Sequence, residues 1–562
     1  MQNLLLLLFV FLCGLLAPAA AQSDAAEVGF TREFGAPGAT GSFRARFSKQ
    51  GAGLVFLQSM DHFVSLAAER RAERGPGDYL LLATSEGGDH ALRLFLAGAN
   101  EAFPVDPATA PWTVATTDSA VTFTLDGGNG LALEKVLRHD PLGRGFTLEV
   151  ALRNVSSAAT GALALQLTGP ALVNATESSL FGTLALSIAA ALDGTTVTVP
   201  PAAGKLQTLE LDPNAVGFVG STNRFFGAFL WPHDTAARAA LQRFDVDTVP
   251  RTEDPTLHVH AFSSTRVRYG LSLAIPPQGG ETRVGYGLYL GPKSYRVFAT
   301  LPQPERFAAI LDVDLNPPCC GGVTVPGGRP MAKLLLKLLG WFHDLIGNWG
   351  IAIIMLTVLV RGLLAPLNFR MQKSMRAYAS KMAVLKPKLD ALKEKHGDDK
   401  AAYQQAMIAF QREHKMMPPL GGCLPIFLTM PIYIGLFTAL RTAYDLRHQS
   451  FVSWIDDLSR ADALFQLGFW PHDFNLLPLV WIGLFVWMSL RQPLPSDPQQ
   501  RQMQMYMRFM PILFGVMLYN YASALMVYMV TSMVWSLVES TITKRILGPM
   551  DPNVAAMAPT PM

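Results

Sequence analysis

From Pro418 to Thr543 the chain runs through 126 residues with no lysine and only 13 charged side chains, a composition that points to lipid around its last third. Five long apolar segments fall from Trp349 onward: Trp349 to Asn368, Leu424 to Leu440, Phe474 to Leu490, about Met505 to Tyr521, and Ala522 to Ile542. The first and fifth are long enough to span a bilayer comfortably, while the middle three sit near the lower limit and fit locally thinned lipid. Almost no loop separates the fourth from the fifth, which predicts a tight helical hairpin.

Basic residues are sorted across these segments. Phe369 to Met417 holds 11 Lys and Arg with 5 acids, whereas Thr442 to Asp473 holds 2 and 5. In all, 16 basic residues fall on one side and 3 on the other, so the positive-inside rule puts the long basic loop, the short loop after Leu490 and the C-terminus in the cytoplasm. The net charge of +3 conceals this sorting. The predicted organisation after the exported part is an interfacial helix at 331–347, spans at 348–368, 418–441, 474–490, 505–521 and 522–543, a cytoplasmic hairpin at 369–417, an outer loop at 442–473, an inner loop at 491–504 and a short tail at 544–562.

Upstream the composition changes. Of 23 methionines, only Met1 and Met60 precede Met331, which marks a domain boundary. Between residues 23 and 330, short alternating segments such as Ser42 to Phe47, Ala120 to Leu125, Gly145 to Leu152 and Thr195 to Val199 are separated by turn residues. This pattern predicts a large all-β antiparallel sandwich outside the membrane. His258 and His260 share one strand face but lack a third ligand at fixed spacing, and read as a surface strand. Four cysteines exclude a disulfide framework, and the vicinal Cys319 and Cys320 read as free thiols. Residues 1–22, apolar and ending in Ala19-Ala20-Ala21, fit either a cleaved signal peptide or an uncleaved anchor; both export the chain beyond residue 22.

Leu334 to Ile346 reads as an amphipathic helix lying on the membrane, with Leu334, Leu335, Leu338, Phe342 and Leu345 on its apolar face and Lys333, Lys337, Trp341 and Asp344 opposite. The cytoplasmic segment reads as two helical arms, Ser374 to His396, kinked or interrupted at Pro387, and a second capped by Asp398 and Asp399 that runs to about Lys415. Anionic headgroups or a ribosome fit its charge. Met503, Met505, Met507, Met510, Met517, Met526, Met529 and Met533 crowd the last hairpin, as lipid-facing filler or as an adaptable surface for many apolar sequences.

Arg361 is the most informative residue. It is the thirteenth of a segment otherwise apolar from Trp349 to Leu367 apart from Thr357, and an arginine in a span costs about 2.5 to 3.5 kcal/mol. Either it snorkels to the cytoplasmic headgroups, or it faces a water-filled cavity. Thr357 lies four residues earlier on the same helix face, and in the last span Tyr528, Ser532, Ser536 and Glu539 make one polar face. Two polar faces in different spans favour a groove over interhelical hydrogen bonding alone. There is no P-loop, H-E-x-x-H or G-x-S-x-G motif, and no intramembrane nucleophile and base. A passive, non-enzymatic device without cofactor or metal remains.

These residues resemble the Oxa1/Alb3/YidC family of membrane protein insertases, in the Gram-negative form with a large periplasmic domain. The resemblance rests on Asn348-Trp-Gly350, Thr357-Val-Leu-Val-Arg-Gly362, Leu385-Lys-Pro-Lys388, Gly397-Asp-Asp-Lys400, Pro419-Leu-Gly-Gly-Cys-Leu-Pro425, Met430-Pro-Ile432 and Asp497-Pro498, and upstream on Tyr289-Leu-Gly-Pro-Lys-Ser-Tyr295. It implies a multidomain inner-membrane protein: a periplasmic β-supersandwich, and an α-helical five-span core around a hydrophilic groove open to cytoplasm and lipid but closed outside. Arg361 matches the family's groove arginine, and Thr357, Tyr528 and Ser532 line the path of the substrate. Lys386, Lys388, Lys393 and Lys395 of the hairpin, with Asp497, lie near the ribosome. Implied partners are nascent membrane proteins, the ribosome, the Sec translocon and membrane lipids, with no specific nucleic-acid sequence. The sequence departs from the family pattern at Ala522-Ser523-Ala524, where Pro-Ser-Gly is usual, at Met529, in the N-terminal segment, and in its short non-basic tail.

Two rival functions arise from the residues. One is a secondary transporter or channel for an anionic solute bound by Arg361, although no internal repeat is found. The other is a membrane-anchored carbohydrate-binding or envelope-scaffold protein in which the β-domain is the working part.

Overall fold

The computed structural model describes residues 29–84, 90–173, 186–199, 206–249, 264–303, 309–311, 315, 327–396, 400–413, 420–467, 473–490 and 498–548. The N-terminal segment, His258, His260, Cys319, Cys320, residues 397–399 and Asp497 lie outside these.

Among the described residues before Gly328, every paired strand is antiparallel. Nine strands form the largest sheet, from Thr196–Val199 at one edge to Thr113–Thr116 at the other, with Glu281–Pro292 and Gly145–Asn154 central. A five-stranded sheet has Ser264–Ala274 in its middle, and a four-stranded meander runs Gly29–Phe34, Phe43–Ser48, Leu54–Phe63, Tyr79–Thr84. Alternation produces the shared core: in Ala120–Asp126, Val121, Phe123 and Leu125 are buried while Thr124 faces out. One apolar cluster joins side chains from all three sheets.

Beyond the sheets, the described residues form seven helices, labelled α1 (Gly328–Ile346), α2 (Trp349–His396), α3 (Lys400–Glu413), α4 (Leu420–Thr442), α5 (Leu476–Leu490), α6 (Pro498–Met517) and α7 (Ser523–Leu547). Among the described residues two stretches are long and apolar enough to cross a membrane, Trp349–Ser374 of α2 and Ser523–Leu547 of α7. Shorter apolar helices lie at Leu476–Leu490 and Arg508–Met517.

Two local expectations are corrected. Pro387 does not interrupt the first cytoplasmic arm, because α2 runs unbroken through Pro366 and Pro387. Strong helix formers around Pro387 offset the one hydrogen bond it removes. In α1 the packed face is Ala332, Leu335, Leu339 and Phe342, set against α2 and α4, whereas Leu334 and Leu345 are exposed beside Trp341. The helix has two apolar stripes, and periodicity alone does not tell the one that meets protein from the one left open.

The Asn348-Trp-Gly350 motif explains the start of α2. Asn348 Oδ1 accepts from Ile351 N at 3.0 Å, capping the helix, and its amide donates to Phe451 O at 3.3 Å. Trp349 stacks on His343 at 4.0 Å between ring centroids. A Cβ at Gly350 would lie 2.0 Å from the Phe451 ring, so only glycine admits this ring. The loop carrying Phe451 also ties the helix ends. Asp462 accepts from Leu476 N and Leu477 N, Asn475 donates to Tyr519 O, and Ser523 N donates to Arg460 O at 2.6 Å. The Ala522-Ser523-Ala524 turn is therefore held by this loop, with Ser523 and Ala524 fully buried.

The same loop docks the β-domain. Arg224 Nε donates to Arg441 O at 2.6 Å, Ser294 to Asp445 at 2.8 Å, and Arg447 to Phe63 O. His448 Nδ1 lies 2.8 Å from Glu69, and Tyr444 packs on Phe226 and His62. A cavity of about 340 Å³ lies in this junction, lined by groups including His62, Glu69 and His448. Burial holds His62 down to about 4, with Arg447 and Arg144 opposing its charge and Asp61 favouring it. Burial and Arg447 hold His448 to about 4 despite Glu69. Both histidines are thus neutral in the docked state but protonate near 6.5 when released. Stability is full above 6.5 and falls as pH drops from 6.5 toward 4, where the free form takes up protons first. Protection factors at residues 61–70 and 444–460, corrected for the intrinsic pH dependence of amide exchange, should fall between pH 7 and pH 4.5; equal protection at both would refute the linkage.

Candidate functional site

The polar site lies where α2, α4 and α7 meet. On its outer side the helices pack into an apolar plug of Leu335, Leu339, Trp349, Ile353, Leu356, Leu436, Leu440 and Leu525. All six residues from Ser523 to Tyr528 are buried, so the start of α7 is enclosed on every face. Beyond Met529 it becomes one-sided, with Val534, Val538, Ile542 and Ile546 exposed and Ser532 buried. The core is therefore closed at the N-terminal end of α7 and loosens along it.

Arg361 sits just below the plug. Its guanidinium lies 5.2 Å from the centre of the Tyr433 ring of α4 and faces the Tyr528 phenol of α7. Gly362, next along α2, is level with Trp535, one Cβ away at 3.9 Å. Tyr528 comes two turns before Trp535, so the Arg361 side chain reaches toward the outer end of α7, as helical side chains lean toward the N-terminus. That direction is opposite to the one in which snorkelling toward the C-terminal end of the span would carry it. Among the described residues Arg361 forms no ion pair; the charge of Glu539 acts on it only from further down α7.

The sequence-predicted residues divide. Tyr528 meets Arg361 here, with the buried Ser532 hydroxyl within reach of the Tyr528 phenol. Thr357 is on the same helix face but buried in the plug, and its hydroxyl donates to Ile353 O at 2.7 Å. Ser536 likewise donates to Ser532 O in its own helix. Lys388 and Lys395 are exposed on α2, remote from this site along the helix. Lys386 and Lys393 lie on the same arm. Tyr433, Trp535 and Asn368 were not anticipated. Tyr433 is the tyrosine of an otherwise apolar segment, Asn368 ends the first span, and Trp535 continues the polar stripe of α7.

Two buried polar atoms on that stripe lack hydrogen-bond partners, Trp535 Nε1 and Glu539 Oε1. With the buried Ser532 hydroxyl they make a polar row down α7 toward its C-terminal end, and a buried polar atom left unpartnered and dry costs about 1 to 3 kcal/mol. Such a row together with an unpaired guanidinium calls for water or a visiting polar chain. At the far end Arg376 donates to Gly548 O at 2.8 Å and joins α2 to the end of α7.

A family model described as 60Kd inner membrane protein matches residues 341–549. A membrane protein insertase YidC of Neisseria meningitidis serogroup C (strain 053442) is 35% identical over 268 residues, which cover 47% of this chain and 43% of the relative. Another insertase of that name, from Tolumonas auensis (strain DSM 9187 / NBRC 110442 / TA 4), is 35% identical over 281 residues, 49% of this chain and 45% of the relative. The match thus spans less than half the length of these curated relatives. A solved structure described as an active YidC insertase with the first transmembrane domain resolved aligns over 89% of this chain and 90% of that one, at 16% identity and a TM-score of 0.32, too loose a superposition to build on.

Proposed function

We propose, from the match of residues 341–549 to the family model described as 60Kd inner membrane protein, that this chain is an insertase that passes nascent membrane proteins into the inner membrane through the groove at Arg361. The observation that carries the reading is the guanidinium held between Tyr433 and Tyr528, without an ion pair among the described residues, beneath a closed apolar plug and next to a row of buried polar side chains on α7. The hydrophobic segment of the substrate slides along the apolar rim into lipid while its short hydrophilic tail enters the groove, drawn by Arg361. The tail then crosses only the plugged outer half. Burial of the apolar segment supplies the drive, with no nucleotide and no covalent step.

On this reading α2, α4, α5, α6 and α7 are the five spans, residues 23–347 are periplasmic with the three sheets as the supersandwich, and the C-terminus is cytoplasmic. The α2–α3 hairpin, with Lys386, Lys388, Lys393 and Lys395, and the loop at Asp497 meet the ribosome and anionic lipid, and the protein acts alone or with the Sec translocon, also helping its clients to fold. Thr357 serves as packing next to the groove rather than as a contact. A photoreactive residue at position 528 should crosslink to ribosome-bound nascent membrane proteins, and one at position 357 only weakly. Absence of crosslinks from 528 would remove the groove from the substrate path.

A further inference from the structure

Independently of the insertase reading, we propose that the cavity between the β-domain and the loop after α4 is a binding site for a small zwitterion that joins an ammonium to a phosphate, of which phosphoethanolamine is the simplest case. The cavity of about 340 Å³ is large enough for such a molecule, at the lower end of ligand sites, which run from about 300 to 1,000 Å³. Three parts of the chain close around it: Glu69 and Arg296 come from the β-domain, His343 and Trp349 from the joint between α1 and α2, and Asp445 and Arg447 from the loop. A ligand held here would touch all three.

The wall carries both signs of charge with bonding capacity to spare. Arg447 donates from Nη2 to Phe63 O, lies 5.7 Å from the centre of the Phe226 ring and forms no ion pair among the described residues. Arg296 donates from Nη2 to Gly340 O at 3.1 Å and to Asp344 at 2.6 Å, with its guanidinium 5.3 Å from the centre of the Trp349 ring. A guanidinium has five N–H donors in a planar fork, so both arginines keep donors for the several oxygens of a phosphate. On the acidic side, Asp445 meets Ser294 through Oδ1 and Glu69 meets His448 through Oε2, which leaves acceptor capacity on each carboxylate for an ammonium. Asp61 is already answered by Gly41 N at 2.8 Å and by Arg144 at 3.6 Å. With His62 and His448 neutral, the lining offers two guanidiniums and two open carboxylates. Glu69 acts on Arg447, and Arg296 on Asp445, but neither couple closes to an ion pair among the described residues. Such a balanced wall gives little to a simple ion and complements a molecule that carries both signs. Trp349 opens the first span, so a lipid headgroup and a free solute are both sources of this chemistry.

The test uses the full-length protein, stripped of lipid in detergent and held in phosphate-free buffer, with calorimetric titration of phosphoethanolamine. One site is expected, and its occupancy should raise hydrogen-exchange protection at residues 61–70 and 444–449 together. Arg447→Gln and Arg296→Gln should each weaken binding by about tenfold or more, the loss of one charge-assisted contact, while Arg447→Lys loses less. Arg153→Gln, in the ion-pair network of the nine-stranded sheet, should leave binding unchanged. Inorganic phosphate and ethanolamine offered separately should bind far more weakly than the joined molecule. Competition by a short-chain phosphatidylethanolamine identifies a lipid headgroup as the source, and binding without that competition identifies a soluble ligand. If Arg447→Gln does not unfold cooperatively, Arg296→Gln and Arg447→Lys decide. Absence of binding to the unmodified protein, binding that survives the arginine substitutions, or equal affinity for glycine would overturn the proposal. None of these measurements reads insertion, so their failure leaves the insertase reading standing.

Discussion

Arg361→Glu is expected to reduce insertion of acid-tailed substrates below detection, measured as protease-protected product in proteoliposomes. The substitution removes the only charge that the described groove offers to a carboxylate and puts a like charge in its place, between Tyr433 and Tyr528. At an effective dielectric near 20, a unit charge pair at about 4 Å is worth roughly 4 kcal/mol, and reversing its sign doubles the difference. Even half of the single term corresponds to more than tenfold in occupancy. Substrates with uncharged tails should lose far less, because they never drew on the guanidinium. Arg361→Lys should fall between, since a lysine keeps the charge but gives up the planar contact with the Tyr433 ring. Insertion of acid-tailed substrates at the unmodified rate by Arg361→Glu would show that the groove charge is not used, and would favour packing as the reason for an arginine at this position.

The antiparallel sheets before Gly328 and the helical last third were legible because both patterns are local. Alternation in Ala120–Asp126 and the apolar runs in α2 and α7 need no knowledge of distant residues. The faces of α1 were not, since lipid and protein core accept the same side chains, and only the packing of α2 and α4 decides that Leu339 is inside and Leu334 outside. At the site, Arg361 was conspicuous through its cost, but the direction of its side chain depends on Tyr433, more than 70 residues away in an apolar run where a tyrosine draws no notice. Thr357 is placed apart from the Arg361 head for a related reason: helical spacing puts it on the Arg361 face, but the plug closes over that face one turn higher. The junction with the β-domain was invisible. Its members, such as His62, Glu69 and His448, are unremarkable in sequence and meet across nearly four hundred residues.

That junction supports the second large effect, on deleting residues 30–320. Every group proposed to touch the substrate, from Arg361 to Tyr528, lies after this segment, so the truncated protein should keep substantial insertion of acid-tailed substrates. Its stability should nevertheless drop by several degrees in thermal unfolding. The deletion takes away Arg224 from Arg441 O at the end of α4, and Ser294 from Asp445, Phe63 O from Arg447 and Glu69 from His448 on the loop that also ties Ser523 and the ends of α5 and α6. Each lost contact is worth about 1 kcal/mol net, because water replaces part of it. Asp445 illustrates the balance: burial now pushes its carboxyl above the ordinary range, and exposure to water would relieve that cost while Ser294 is lost. The effects thus act on the outer cap rather than on the groove, and restoring the loop by tightening its own contacts should recover stability without the β-domain. Loss of insertion from a truncated core that still unfolds cooperatively would mean that the outer cap sets the geometry of the groove, or that the β-domain is itself the working part; insertion at a normal rate with lowered stability would separate the two roles.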